Sequence, residues 1–188
     1  MKQTGWLLDG GTWYYLDPTG KMLTGWIKVG GKWYYAQSSG ALATRWVQSG
    51  SKWYYLDPAT FEMKTGWVKD GGNWYYMKDS GEMATGWVKS GDNWYYMAAS
   101  GVMQTGWVKV GGTWYFFKNN GVMAASEWVP GYYWISSNGA WTYQPVGSWK
   151  KDSVGWWFGD TSGWYAKNET LKINDVNYTF DGSGYLVE

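Results

Sequence analysis

The sequence predicts an all-β solenoid, a superhelix of stacked β-hairpins with about 20 residues per repeat. Three observations predict it. Trp recurs at Trp6, Trp26, Trp46, Trp67, Trp87 and Trp107, at intervals of 20, 20, 21, 20 and 20 residues. A second Trp stands seven residues after each, at Trp13, Trp33, Trp53, Trp74, Trp94 and Trp114. The 188 residues include 19 Trp, 17 Tyr and 28 Gly, so the apolar mass is aromatic and no ordinary aliphatic core can be assembled from it.

Each repeat reads as a hairpin. In the segment from Trp26 to Tyr35, Gly30-Gly31 separates two runs of strand formers. A type I′ turn needs φ > 0 at both central positions, which two glycines supply without strain. Pairing outward from that turn sets Val29 against Lys32, Lys28 against Trp33, and Trp26 against Tyr35. Strand alternation then puts Trp26, Lys28, Trp33 and Tyr35 on one face, with Ile27, Val29 and Tyr34 on the other. A lone hairpin is marginal in water, so neighbouring units must stack and bury these faces. Asp17-Pro18 and Asp57-Pro58 read as turn formers.

Two domains follow from the regularity of the pattern: residues 1–126 as six regular repeats, and residues 127–188 as degenerate terminal repeats forming a C-terminal cap. In the tail, Trp128 opens a shortened unit with its turn at Pro130-Gly131, followed by Tyr132, Tyr133 and Trp134. Trp149 and Trp156 stand seven apart. Leu171 and Tyr178 also stand seven apart and read as a last unit with both Trp slots replaced.

The same composition excludes several kinds of chemistry. There is no Cys, hence no disulfide or thiolate, and no His, the commonest general base and metal ligand. Sixteen basic residues against fifteen acidic ones leave a net charge of +1, which implies no nucleic-acid partner. No apolar run reaches the roughly 20 residues of a membrane span. No carboxylate pair recurs, so no catalytic residue, metal or cofactor is assigned. The first repeat is in register by Gly5 with no signal peptide before it, as expected of a fragment.

What remains is binding by ring faces. A core could use Leu, Ile or Phe, without an indole N–H that needs a partner; two Trp at fixed spacing in each regular unit suggest that π-faces are needed. Aromatic walls suit a quaternary ammonium, held by roughly 0.5–2 kcal/mol per ring, or a stacked sugar. A sugar also needs convergent Asp, Asn or Gln, and these do not repeat with the rings, which favours the cation.

The units Gly25-Trp26…Trp33-Tyr34-Tyr35 and Gly86-Trp87…Trp94-Tyr95-Tyr96…Gly101-Val102-Met103-Gln104-Thr105-Gly106 resemble the choline-binding repeats of cell-wall proteins of pneumococci and their phages. The resemblance covers residues 4 to about 126 closely and the remainder loosely. It implies a non-catalytic wall-attachment module, on the bacterial surface, whose partner is choline or phosphocholine on teichoic and lipoteichoic acids; the intact parent could be a cell-wall hydrolase. It also implies cages made of two Trp from one hairpin and a Tyr from the next, often with a Met. On this chain the sets are Trp6, Trp13 and Tyr35; Trp26, Trp33 and Tyr55; Trp46, Trp53 and Tyr76; Trp67, Trp74 and Tyr96; and Trp87, Trp94 and Phe116. Met22, Met63, Met83 and Met103 occupy the Met slot, as cage floors or as polarizable gap-fillers. Leu42 takes that slot once, and Arg45 replaces the Gly before Trp46.

Lys28, Lys69, Lys89 and Lys109 recur two residues after a leading Trp, as solvated strand positions or as partners for a phosphate. A glucan- or glycan-binding repeat, like those of clostridial toxins and streptococcal glucosyltransferases, is the second reading. A small functional domain in residues 127–188 is a third, against which the lack of any nucleophile–base signature argues.

Overall fold

The structure, a computed structural model, describes residues 2–141 and 146–187. Among them there are eighteen strands and no helix, so none that could cross a membrane. The strands are consecutive antiparallel hairpins: β1 (Gly5–Asp9) with β2 (Thr12–Leu16), β3 (Gly25–Val29) with β4 (Lys32–Ala36), β5 (Arg45–Ser49) with β6 (Lys52–Leu56), and β7 (Gly66–Asp70) with β8 (Asn73–Met77). Next come β9 (Gly86–Ser90) with β10 (Asn93–Met97) and β11 (Gly106–Val110) with β12 (Thr113–Phe117). The chain forms two compact units, Met1–Val88 with Met97–Met103, and Lys89–Tyr96 with Gln104–Glu188. In the first unit the hairpins follow one another as the repeats of a solenoid.

The turn reading holds in detail. Val29 pairs Lys32, Lys28 pairs Trp33, and Trp26 pairs Tyr35. Gly30 and Gly31 both have positive φ, 57° and 83°, as a type I′ turn requires.

Stacking is secured by the loops. After each hairpin the chain turns back, and the residue in the Met slot bridges the end of its own hairpin, as Leu42 does with Ala36 and Met63 with Leu56. The same residue donates its N–H to the second Trp of the preceding hairpin: Leu42 to the Trp13 carbonyl at 2.8 Å, Met63 to Trp33 at 2.8 Å, and Met83 to Trp53 at 2.7 Å. One backbone group thus joins two repeats. Met22 belongs to the first loop, and its side chain covers Gly40, where a Cβ would collide with the Met22 sulfur. Met63 covers Gly81 and Met83 covers Gly101 in the same way, so these side chains fill the space that a glycine in the next loop leaves open.

The tail departs from this plan. Strands β13 (Glu127–Val129), β14 (Tyr133–Ile135), β17 (Glu169–Ile173) and β18 (Val176–Phe180) form one four-stranded sheet in the order β14-β13-β17-β18. Its centre is a parallel contact at Trp128 and Ile173. The strands β15 (Ser148–Lys151) and β16 (Trp156–Gly159) pair separately. Trp128, Phe158, Ala166, Leu171, Ile173 and Phe180 are buried together as a core. Lys118 bonds Glu127 and Asp175 beside it; burial opposes the ammonium charge, but the bonds to Asp175 and Glu127 outweigh it and hold the Lys118 pKa above its ordinary value.

The last hairpin corrects the sequence alignment by one residue. Thr170 pairs Thr179 as Trp6 pairs Tyr15, so the two Trp slots hold Thr170 and Asn177, not Leu171 and Tyr178. A one-residue slip exchanges the two faces of a strand, and here it is the buried Leu171 that faces the core.

Candidate ligand-binding cages

Every leading Trp in the first three hairpins is clasped by two tyrosines. One lies directly across its own hairpin: Tyr15 at 4.7 Å from Trp6, Tyr35 at 5.1 Å from Trp26, and Tyr55 at 5.1 Å from Trp46. The other comes from the following hairpin: Tyr34 at 4.8 Å from Trp6, Tyr54 at 4.6 Å from Trp26, and Tyr75 at 4.6 Å from Trp46. All six contacts are edge-on, the arrangement that aromatic quadrupoles favour.

This corrects the expected ring sets. Tyr35, Tyr55 and Tyr76 lie against the Trp of their own hairpins, Tyr76 at 5.2 Å from Trp67. The reason is strand alternation: Tyr35 shares a face with Trp26 and Trp33, while Tyr34 faces the hairpin before. The ring that reaches back is therefore the first Tyr of each Trp-Tyr-Tyr triplet. Phe116, assigned to the fifth set, likewise lies against Trp107 of its own hairpin at 5.3 Å. Tyr96, assigned to the fourth, sits 6.3 Å from Phe117.

Two leading Trp residues also have their indole N–H satisfied from the next hairpin. Trp26 donates to the Ser49 hydroxyl at 3.1 Å, and Trp46 to the Asp70 carboxylate at 3.0 Å. Asp70 also accepts from Arg45 at 2.6 Å and from the Tyr55 hydroxyl at 3.2 Å. Burial first, and then the Asp70 charge, push the Tyr55 hydroxyl pKa up. Arg45 takes φ 60° where the other repeats place Gly, so its replacement of Gly preserves the backbone and adds an anchor for Asp70.

In the second and fourth hairpins the second Trp stands at right angles to the first, with Trp26 and Trp33 6.2 Å apart at 89° and Trp67 and Trp74 6.2 Å apart at 87°. In the first four hairpins these second rings are the exposed ones: Trp13, Trp33, Trp53 and Trp74 each keep more than a third of their surface open. Two Trp and a Tyr thus line a corner open to solvent.

At the first hairpin the corner is a cavity of about 320 Å³ lined by Trp6, Trp13, Tyr34, Leu42, Ala59, Thr60 and Phe61. The Met slot that Leu42 fills therefore belongs to the set at Trp6 and Trp13, and the slot at Trp26 and Trp33 is filled by Met63. Phe61 was not expected. It stands at φ 62° in the loop position that holds Gly20 and Gly40 in earlier repeats, and the one 21-residue interval was the sequence signal for it.

A second cavity of about 320 Å³ is lined by four rings, Trp107, Trp114, Tyr133 and Trp141. Tyr133 and Trp141 lie 5.6 and 5.8 Å from Trp107. The backbone N–H of Trp141 donates to the Trp114 carbonyl at 2.8 Å, as Met-slot residues do elsewhere. This set was missed because its partners lie in the irregular tail. The spacing from Met123 to Trp141 and the Tyr132-Tyr133 pair were the available signals. Farther along, Trp128, Trp134 and Trp164 line an opening with Asp160, Ser162 and Glu169, but Trp128 and Leu171 there belong to the buried core.

The fold and these corners define a class: a repeat module that holds small flat or cationic groups between aromatic rings of successive hairpins. The chain belongs to the choline-binding repeat family, whose model matches residues 3–46, 43–86 and 84–128. It is similar to the structure of CbpJ from Streptococcus pneumoniae TIGR4, with 51% identity and a TM-score of 0.70 over 74% of this chain and 48% of that one. It is also similar to choline binding protein F from Streptococcus pneumoniae, solved in the presence of a peptidoglycan analogue, with 49% identity and a TM-score of 0.69 over 74% and 47% of the two chains. The modular autolysin LytC from Streptococcus pneumoniae shares the fold along 99% of this chain and 48% of its own, at 24% identity and a TM-score of 0.56. This chain thus spans about half the length of these three structures. No curated protein matches it.

Proposed function

We propose that the chain attaches its parent protein to a bacterial cell wall by binding choline on teichoic and lipoteichoic acids. Four ring sets carry the proposal: Trp6, Trp13, Tyr34 and Leu42; Trp26, Trp33, Tyr54 and Met63; Trp46, Trp53, Tyr75 and Met83; and Trp107, Trp114, Tyr133 and Trp141. The Trp pair at Trp67 and Trp74 repeats the Trp26 and Trp33 geometry, 6.2 Å apart at 87° with Trp74 exposed, and is a further site. The chain itself does no chemistry in this reading.

The observation that carries it is the lining of the cavity at Trp107, which is four aromatic rings and no carboxylate. A trimethylammonium has no N–H to donate, and gains from π-faces what it loses in hydration. A glucan would leave its hydroxyls unanswered in such a box. Several weak sites on one chain gain avidity because the polymer presents choline repeatedly.

Calorimetric titration of the chain with choline and, separately, with a glucan oligosaccharide tests this. Saturable binding of choline at several sites is expected, together with retention on a quaternary-amine resin and release by free choline. Binding of the glucan alone, or release from the resin by salt as readily as by choline, would overturn it.

A further inference from the structure

Lysine ammonium groups stand beside some of these rings and not others. Lys28 lies 5.3 Å from the centre of the Trp33 ring, Lys69 5.6 Å from Trp74, and Lys109 5.9 Å from Trp114. In each case the register sets Lys directly across from the second Trp, on the face that carries both Trp residues. At the same register position the first hairpin has Leu8 and the third has Gln48. The cages therefore fall into two kinds, cationic at the rim and neutral at the rim.

The three ammonium groups are uncompensated. Lys32 and Lys52, one position before a second Trp, are paired with Glu62 and Glu82. Among the described residues no carboxylate forms an ion pair with Lys28, Lys69 or Lys109, and all three are exposed. A bare positive charge at the mouth of a cage opposes the entry of a second cation. A ligand carrying an anion close behind its ammonium turns that opposition into attraction. In a choline phosphate ester the phosphate follows the ammonium by an ethylene tether, which brings it to the rim when the trimethylammonium is inside.

We infer that Lys28, Lys69 and Lys109 are specificity residues that read the phosphate, so the second, fourth and sixth cages select choline phosphate esters over free choline, while the cages with Leu8 and Gln48 do not discriminate. The inference rests on the choline reading above. It separates two kinds of site within one array, and makes the wall-bound ester a better ligand than the free alcohol that would compete with it.

The test compares choline with phosphocholine, in low-salt buffer, on the full chain and on the quadruple variant Lys28→Gln, Lys69→Gln, Lys89→Gln, Lys109→Gln, which also removes Lys89, the lysine at the same spacing after Trp87. A unit charge at this range in water changes an affinity by about threefold, and more for a dianion. The wild-type chain should therefore bind phosphocholine at least about threefold more tightly than choline at part of its sites. The quadruple variant should lose that preference and bind choline slightly better, and added salt should erode the wild-type preference. Gln48→Lys should move one further site into the discriminating group. An equal affinity for the two ligands in the wild type, or a preference that survives in the quadruple variant, overturns the inference while leaving choline binding intact. Failure of both ligands to bind overturns the choline reading and this one together.

Discussion

The first three hairpins and the tail start from the same unit and finish it differently. In the hairpins from Gly5 to Leu56 the strands pair only within each hairpin, and rings join one repeat to the next. Their second Trp rings stay exposed, and the corners remain open. In the tail, two hairpins merge into a four-stranded sheet, and Trp128 and Phe158 pack 5.1 Å apart inside a closed core. A Trp pair seven residues apart is thus not itself a site, since Trp149 and Trp156 have that spacing and Trp149 is covered by Phe158 and Phe180. On the proposed reading, a site also needs a following hairpin that offers one Tyr edge and leaves the second Trp bare.

The largest expected effect follows directly. Phe158 is fully buried, and Phe158→Ala should cost about 3–5 kcal/mol, the range for deleting a core aromatic. Trp33 is 39% exposed, so Trp33→Ala should cost clearly less stability while removing one binding site. Chemical denaturation reads the first quantity and calorimetric stoichiometry the second. If both substitutions destabilise equally and neither changes the stoichiometry, the division between wall and core fails.

A finer substitution separates the two tyrosines of a triplet. Tyr34→Ala should weaken the first cage by the roughly 0.5–2 kcal/mol of one cation–π wall. Tyr35→Ala should leave the first cage unaffected and instead loosen the support of Trp26, an aromatic pair worth roughly 0.5–1.5 kcal/mol. Titration of each variant with choline distinguishes them. A loss at the first cage from Tyr35→Ala, with none from Tyr34→Ala, would restore the assignment made from the sequence.

That assignment shows where the sequence was readable and where it was not. The hairpins, their turns and the two faces of each strand followed from Gly pairs and alternation, because these are local properties. The alternation also held the answer for Tyr34: a side chain on the face opposite Trp26 must look toward the previous hairpin, and the family pattern was carried over one position late. Phe61 and Trp141 were out of reach for another reason. They enter their cavities from loops that lie beyond the next hairpin in sequence, and strand periodicity says nothing about where a loop comes to rest. The parallel contact of Trp128 with Ile173 joins segments separated by three further strands, so no local signal marks it.

The smallest effect concerns Arg45, which distinguishes the third hairpin from its neighbours. Its left-handed backbone, φ 60°, costs a residue with a Cβ about 1 kcal/mol relative to Gly. Its ion pair with Asp70 is exposed on the Arg side, at 62%, and pairs of that kind contribute about 0–1 kcal/mol. The two terms oppose each other, so Arg45→Gly should change stability by less than about 1 kcal/mol and in either direction. Asp70→Ala is a different matter, because it strips a partner from the Trp46 indole and from the Tyr55 hydroxyl as well as from Arg45. Leaving a buried donor unanswered costs about 1–3 kcal/mol, and Tyr55 is buried. Asp70→Ala should therefore destabilise more than Arg45→Gly, and should also lower choline affinity at Trp46 by letting the indole turn. Thermal melting with and without choline measures both. If Arg45→Gly proves the more damaging of the two, the charge itself and not the indole anchor holds the third hairpin in place, and the regular array depends on a surface ion pair rather than on its rings.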